Sequence, residues 1–191
     1  MARRSRSPNV VRWLGVLAPL AIIAAIALGA VLAPEQTADA DGDAEAADFT
    51  LPDTHGGTIT LDDALADGPA LLYFSMGVGC DGCFVQIPEI ADDLDSRGVE
   101  LVSVMPGQTE WVAAEARRLG VDDPIAVDAD VAVSDAYGML GQYGHADQPS
   151  HSFALVGPSG QIAWVRHYAE MFIPADDLLP ELDAALEALP R

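Results

Sequence analysis

Residues 70–105 constrain the fold more tightly than any other stretch. Ala70–Ser75 (ALLYFS) is a near-continuous apolar run between Gly68-Pro69 and Gly77, the pattern of a strand buried on both faces. Val99–Met105 (VELVSVM) is a second such run and starts after Gly98. Between them Phe84, Ile87, Ala91 and Leu94 recur at i, i+3, i+7 and i+10, which puts them on one side of an amphipathic helix. Strand, helix and strand in that order make a βαβ unit, hence two parallel strands crossed by a helix. The remaining elements extend the same layout. A helix over about 108–119 has Thr109 as its N-cap and Gly120 as its stop. Ile125–Val127 reads as a short strand and Val131–Tyr137 as a short helix. Phe153–Val156 and Ile162–His167 flank Gly157-Pro158-Ser159-Gly160, a turn that makes them an antiparallel hairpin. A final helix over 175–188 shares Leu178, Leu182, Ala185 and Leu189 on one face. The expected class is α/β, with a mixed sheet and helices on both faces.

The N-terminal segment has a different character. Residues 1–12 carry four arginines, and the next twenty-one, 13–33 (WLGVLAPLAIIAAIALGAVLA), carry no charge. At about 1.5 Å per residue a helix of that length crosses a hydrocarbon core of ~30 Å, and a membrane helix tolerates Pro19. Arginines before the segment and acids after it leave 1–12 in the cytoplasm and put the rest outside a cell membrane spanned once. The alternative is a cleaved signal peptide ending at Val31-Leu32-Ala33, which would give a secreted protein. Residues 34–47 (PEQTADADGDAEAA) read as a solvated acidic tether, so the folded domain is expected over 48–191. No repeat of 20–50 residues occurs.

Charge excludes some partners. The chain has nine basic residues, all arginine, and thirty acidic ones. Four arginines precede the first acid, Glu35, so the remainder holds five against thirty, a net −25. Phosphate neutralisation needs clustered cations, so no nucleic acid partner is expected, nor docking on anionic lipid. Half of the residues are hydrophobic and a fifth charged, enough to bury a core.

Cys80 and Cys83 are the chain's two cysteines, and they stand where the first strand gives way to the helix (GVGCDGCF). Unpaired N–H groups and the positive end of the dipole stabilise a thiolate at a helix N-terminus, which lowers its pKa below the free value of about 8.5. Spacing i, i+3 on the first turn lets Cys83 lie beside Cys80 and resolve a mixed disulfide formed there. Other uses of the pair stay open. A structural disulfide over so short a loop constrains little chain. A structural zinc site normally takes four Cys or His ligands. Two thiolates with a His or Met suit Cu(I). Asp81, an acid beside Cys80, opposes the thiolate. Met76 is a soft ligand or a packing residue, Trp111 is expected as core or edge packing, and the acid pairs Asp62-Asp63 and Asp92-Asp93 read as solvated faces. No role is assigned to His55, His145 or His167.

The order of strand, CxxC and helix with Pro88 eight residues after Cys80, followed by a strand and a terminal hairpin, resembles the thioredoxin fold. The opening DFTLPDTHGGTITLDD (48–63) and the segment FALVGPSGQI resemble the redoxins of the alkyl hydroperoxide reductase/thiol-specific antioxidant family. Membrane-anchored, extracytoplasmic thiol–disulfide oxidoreductases share that opening. The resemblance covers about residues 48–189 and implies a thioredoxin-like sheet flanked by helices, preceded here by the N-terminal transmembrane helix. It implies an oxidoreductase that needs no cofactor, with Cys80 as attacking nucleophile and Cys83 as resolving thiol. The implied partners are protein dithiols or disulfides and a partner that reduces or oxidises the pair, with peroxide as the alternative substrate. Peroxidatic members place Pro seven and Thr three residues before the attacking cysteine, where this chain has Tyr73 and Gly77. Thioredoxins place a cis-proline just before the strand facing the CxxC; here that position is Ser152, with Pro149 nearby. His151 and Ser152 are therefore the candidate residues of the loop facing Cys80, His151 as a base, as a metal ligand or as an ordinary loop residue. Sco-type copper chaperones also pair two cysteines with a histidine, which makes Cys80, Cys83 and His151 the alternative metal set.

Overall fold

The computed structural model describes residues 44–189. The span expected at 13–33 and the basic segment 1–12 lie outside the described residues, and among these no helix is long and apolar enough to cross a membrane. The central sheet has five strands in the order β5-β4-β3-β6-β7. These are β3 (Ala70–Phe74), β4 (Glu100–Met105), β5 (Ile125–Val127), β6 (His151–Val156) and β7 (Ile162–Tyr168). β3, β4 and β5 run parallel, while β6 is antiparallel to both β3 and β7. The βαβ unit expected from residues 70–105 is present: α2 (Asp81–Ser96) crosses from β3 to β4.

β3 is central, and all five of its residues are buried, which explains its unbroken apolar run. Its alternating side chains feed two cores. Leu71 and Tyr73 join Phe153 and Leu155 under α2, α3 (Thr109–Leu119) and α5 (Ala175–Ala188), through Phe84, Ile87, Val112, Leu178 and Leu182. Leu72 and Phe74 face the other way with Val102, Val104, Ala154 and Val156, against Phe49, Leu61 from α1 (Leu61–Ala64), Tyr137 and Met139. The thioredoxin-like mixed sheet with helices on both faces is thus the observed architecture.

Three details differ from the sequence reading. Gln108, not Thr109, is the N-cap of α3, and its side chain makes no capping bond, while Gly120 ends the helix in the left-handed conformation as expected. Residues 50–60 form a two-stranded hairpin, β1 (Thr50–Pro52) with β2 (Thr58–Thr60), built on the Asp53 carboxylate, which accepts from the N–H groups of His55 (2.7 Å) and Gly57 (2.9 Å). The end of the expected tether is folded: Ala46 N–H donates to Gly160 O at 2.8 Å, Ile162 N–H donates to Ala44 O at 2.8 Å, and the Ala46 side chain is buried. Alanines in an acidic run carry no periodic signal, yet their backbone pairs with the β6–β7 turn.

Candidate active site

β3 ends against the loop 75–79, and the chain must turn sharply there to start α2. Gly79 makes this turn at φ 100°, a conformation that a side chain disfavours. Cys80 then serves as the N-cap of α2, its Sγ accepting the Cys83 N–H at 3.2 Å. The two cysteines are joined as a disulfide, with Cα atoms 5.3 Å apart. They are unequal. Cys80 retains 6% exposure beside the open Val78 (47%), whereas Cys83 is fully buried. The sulfur at the helix N-terminus, on the less enclosed residue, is suited to attack; the sulfur one turn inside, on the fully buried residue, is suited to resolve.

Asp81 is not a bare acid beside Cys80. The Arg118 guanidinium of α3 donates to its carboxylate at 2.5 Å and to Glu115 at 2.8 Å, which offsets the charge that would oppose a thiolate. Gly82 has a steric reason: a Cβ there would lie 2.5 Å from the Met171 carbonyl oxygen. The segment 169–173, between β7 and α5, therefore rests directly on the motif, and Met171 packs against the same core as both cysteines. Met76 packs there too, in line with its reading as a packing residue. Trp111 does not pack; it is 60% exposed on the first turn of α3, which corrects its expected place in the core or at an edge.

The structure separates the two candidates of the facing loop. His151 is not in a loop but is the first residue of β6, fully buried. Its ring lies against Tyr73 and Phe153, on the sheet face that carries the cysteines. Ser152, the next residue in the strand, faces the opposite way, where its hydroxyl is bonded to Ser150 (2.9 Å) and to His167 Nδ1 (2.8 Å). Ser152 is thus no neighbour of Cys80. His151 reaches the motif through other residues. Its Nδ1 is 3.0 Å from the Tyr73 hydroxyl, which is also 3.1 Å from the Cys83 carbonyl oxygen. Its Nε2 is 3.1 Å from Gln86 Oε1 on α2. Gln86 in turn donates Nε2–H to Ile173 O (2.9 Å) and accepts the Ile173 N–H (2.7 Å), so it clamps the 169–173 segment to the helix. Burial pushes His151 down to about 4 and holds the Tyr73 hydroxyl well above its ordinary range.

Both ring nitrogens of His151 are thereby engaged, which leaves no lone pair free for a third ligand beside the cysteines. Among the described residues no group of three or more His, Cys, Asp or Glu side chains is arranged to hold a metal ion. Tyr73 and Gln86 were not singled out from the sequence as parts of the site. The available signal was their polarity: each is the polar member of an otherwise buried face, Gln86 standing one turn after Cys83.

The AhpC/TSA family model matches residues 43–165, well over half of the chain. The chain belongs to the AhpC/TSA family. This is a family of redoxin oxidoreductases, as the opening at 48–63 and the CxxC suggested. A peroxiredoxin candidate of Mycobacterium tuberculosis is 29% identical over 97 residues, which cover 49% of this chain and 61% of that protein. The chain thus spans under two thirds of that relative's length. Among solved structures, the peroxidoxin BcpB of M. tuberculosis aligns with a TM-score of 0.59 at 23% identity, covering 77% of this chain and 96% of that one. A secreted M. tuberculosis disulfide oxidoreductase aligns at 0.53 and 17% identity, covering 74% and 96%. At these identities the two structures support the fold.

Proposed function

We propose that this redoxin is an extracytoplasmic thiol–disulfide oxidoreductase, held at the cell membrane by residues 13–33, that works through Cys80 and Cys83. The observation that carries the reading is the inequality of the pair at the α2 N-terminus: a disulfide whose N-capping cysteine keeps slight exposure and whose second cysteine is fully buried. In the reduced protein the Cys80 thiolate attacks one sulfur of a substrate disulfide, and the other substrate sulfur leaves as a thiolate that takes a proton. Cys83 then loses its proton and attacks Cys80 Sγ. The substrate leaves with its second thiol, and the protein keeps the new disulfide. The reverse sequence oxidises a substrate dithiol. Export is supported by the four arginines ahead of the uncharged segment, and it suits a stable disulfide. No cofactor is needed for these steps.

Replacing Cys83 by Ser removes the resolving thiol, so Cys83→Ser is expected to accumulate covalent mixed disulfides with substrate proteins, seen as reducible bands on non-reducing gels. Cys80→Ser is expected to trap none. Equal trapping by both variants, or by neither, overturns the assignment.

Peroxide reduction is the second reading, favoured by the similarity to a peroxiredoxin candidate. The same Cys80 thiolate attacks a peroxide oxygen, the O–O bond breaks and the other oxygen leaves as water or an alcohol; Cys83 then attacks the sulfenic acid, forming the disulfide and releasing water. Tyr73 and Gly77 stand where peroxidatic relatives have Pro and Thr, which favours exchange as the main reaction.

A further inference from the structure

The contacts of Gln86 fix the protonation pattern of the chain of groups beneath the disulfide. The Ile173 N–H must donate to Gln86 Oε1, and Ile173 O must receive the Gln86 amide, so the side-chain amide can take only one orientation. Its Oε1 is an acceptor, and His151 Nε2, 3.1 Å away, must therefore carry a hydrogen. A neutral imidazole with hydrogen on Nε2 leaves Nδ1 bare, and Nδ1 then accepts from the Tyr73 hydroxyl at 3.0 Å. That hydroxyl has one proton and a second acceptor, the Cys83 carbonyl oxygen at 3.1 Å. Four heavy-atom contacts in a row are one proton short. One protonation state fills them all: an imidazolium that donates Nδ1–H to Tyr73 and Nε2–H to Gln86 and frees the hydroxyl proton for Cys83.

We propose that His151 is a positioning residue that takes up this missing proton when the Cys80–Cys83 disulfide is reduced. The inference rests on the exchange reading of the same site. A dithiol donor supplies two electrons and two protons and becomes a disulfide. Cys80 becomes a thiolate, Cys83 a thiol and His151 an imidazolium, so that mass and charge balance. With the disulfide intact nothing compensates a buried cation, and burial alone keeps His151 neutral. Reduction places one negative charge at Cys80, in the same packed core as Tyr73 and Cys83. The other groups around the imidazole offer no rival charge. From β3 it meets Tyr73; from β7 the residue in register is Tyr168, whose neighbours Arg166 and Glu181 pair with each other at 2.6 Å. From the 169–173 segment it meets the Ile173 backbone through Gln86, while Glu170 is exposed. From α2 it meets Gln86 and, through the Tyr73 hydroxyl, the Cys83 carbonyl oxygen.

The test is a nitrogen NMR titration of the histidine rings in the full chain, oxidised and then reduced with a phosphine, with His151→Asn identifying the signal. The oxidised protein is expected to show the Nε2–H tautomer. On reduction the His151 midpoint should rise by at least one pH unit, a tenfold gain in proton affinity. The Nδ1–H tautomer in the oxidised form, or equal midpoints in both forms, overturns the proposal. A second measurement is independent of any assignment. Over the pH range between the two midpoints, the reduction potential of the natural chain should fall more steeply with pH than that of His151→Asn. The excess is one proton per two electrons, ~30 mV per pH unit; parallel slopes overturn the proposal. Neither measurement needs a protein substrate. If His151 responds but Cys83→Ser traps nothing, the exchange reading falls and the proton linkage stands. If trapping occurs and His151 is unmoved, only the linkage falls.

Discussion

At Gly82 a single hydrogen separates the redox motif from the Met171 carbonyl. The 2.5 Å approach of an added Cβ is to backbone oxygen, which cannot rotate away. Gly82→Ala is therefore expected to cost about 1–3 kcal/mol of stability, the usual range for overpacking, and to loosen the 169–173 segment. A urea titration measures the first effect, and faster hydrogen exchange at the Ile173 N–H measures the second. An unchanged midpoint would mean that the segment does not bear on the motif. Residue-scale features of this kind divide into those that sequence displays and those it hides. Cys80 and Cys83 were legible because their chemistry depends on local spacing and on the end of a helix. Tyr73, Gln86 and Ile173 were not, because Gln86 meets Ile173 across 87 positions and His151 across 65. One of those partners is a backbone amide, which every sequence possesses. His151 and Ser152 differ by one step in a strand, and the pairing of Phe153 with Tyr73 decides which of them faces the cysteines.

The elements legible in the sequence are those with an apolar run or a hydrophobic period: all five strands of the central sheet, even the three-residue but wholly buried β5, and the helices α2, α3 and α5. The β1–β2 hairpin was missed because each strand is three residues long and has no fully buried residue, leaving no alternation to read. The helix α4 (Ala132–Ala136) was legible as a short helix, but not what starts it. Val131 precedes it in a left-handed conformation, φ 56°, which a β-branched residue disfavours. The buried Asp128 carboxylate overrides that preference by accepting from Ser134 N–H (2.8 Å), Ser134 Oγ–H (2.7 Å) and Val133 N–H (3.3 Å). Asp128→Ala leaves a buried amide and hydroxyl without their acceptor, at a cost of about 1–3 kcal/mol. The expected result is a lower urea midpoint together with faster amide exchange at Val133 and Ser134. A loss of stability without faster exchange there would place the role of Asp128 elsewhere.

For the molecule as a whole, the same burial that silences His151 makes folding sensitive to mild acid. In the oxidised protein His151 sits near 4, against an ordinary 6.5 in the unfolded chain, and burial lowers His167 in the same direction. Between those two values the unfolded state binds the proton and the folded state does not, so stability falls as pH falls. The His151 contribution is essentially complete above pH 7, and about 2 kcal/mol of it is lost by pH 5. Asp183, held below its ordinary 3.8 by the Arg97 guanidinium, contributes with the same sign but at lower pH. The window from pH 7 to 5 thus belongs to His151 and His167. Urea midpoints of the oxidised chain should drop steadily over this window, and those of His151→Asn should drop less. Equal slopes for the two proteins would mean that His151 is already charged when folded. In that case the network beneath the disulfide would hold its full set of protons in both redox states, and its link to reduction would be lost with it.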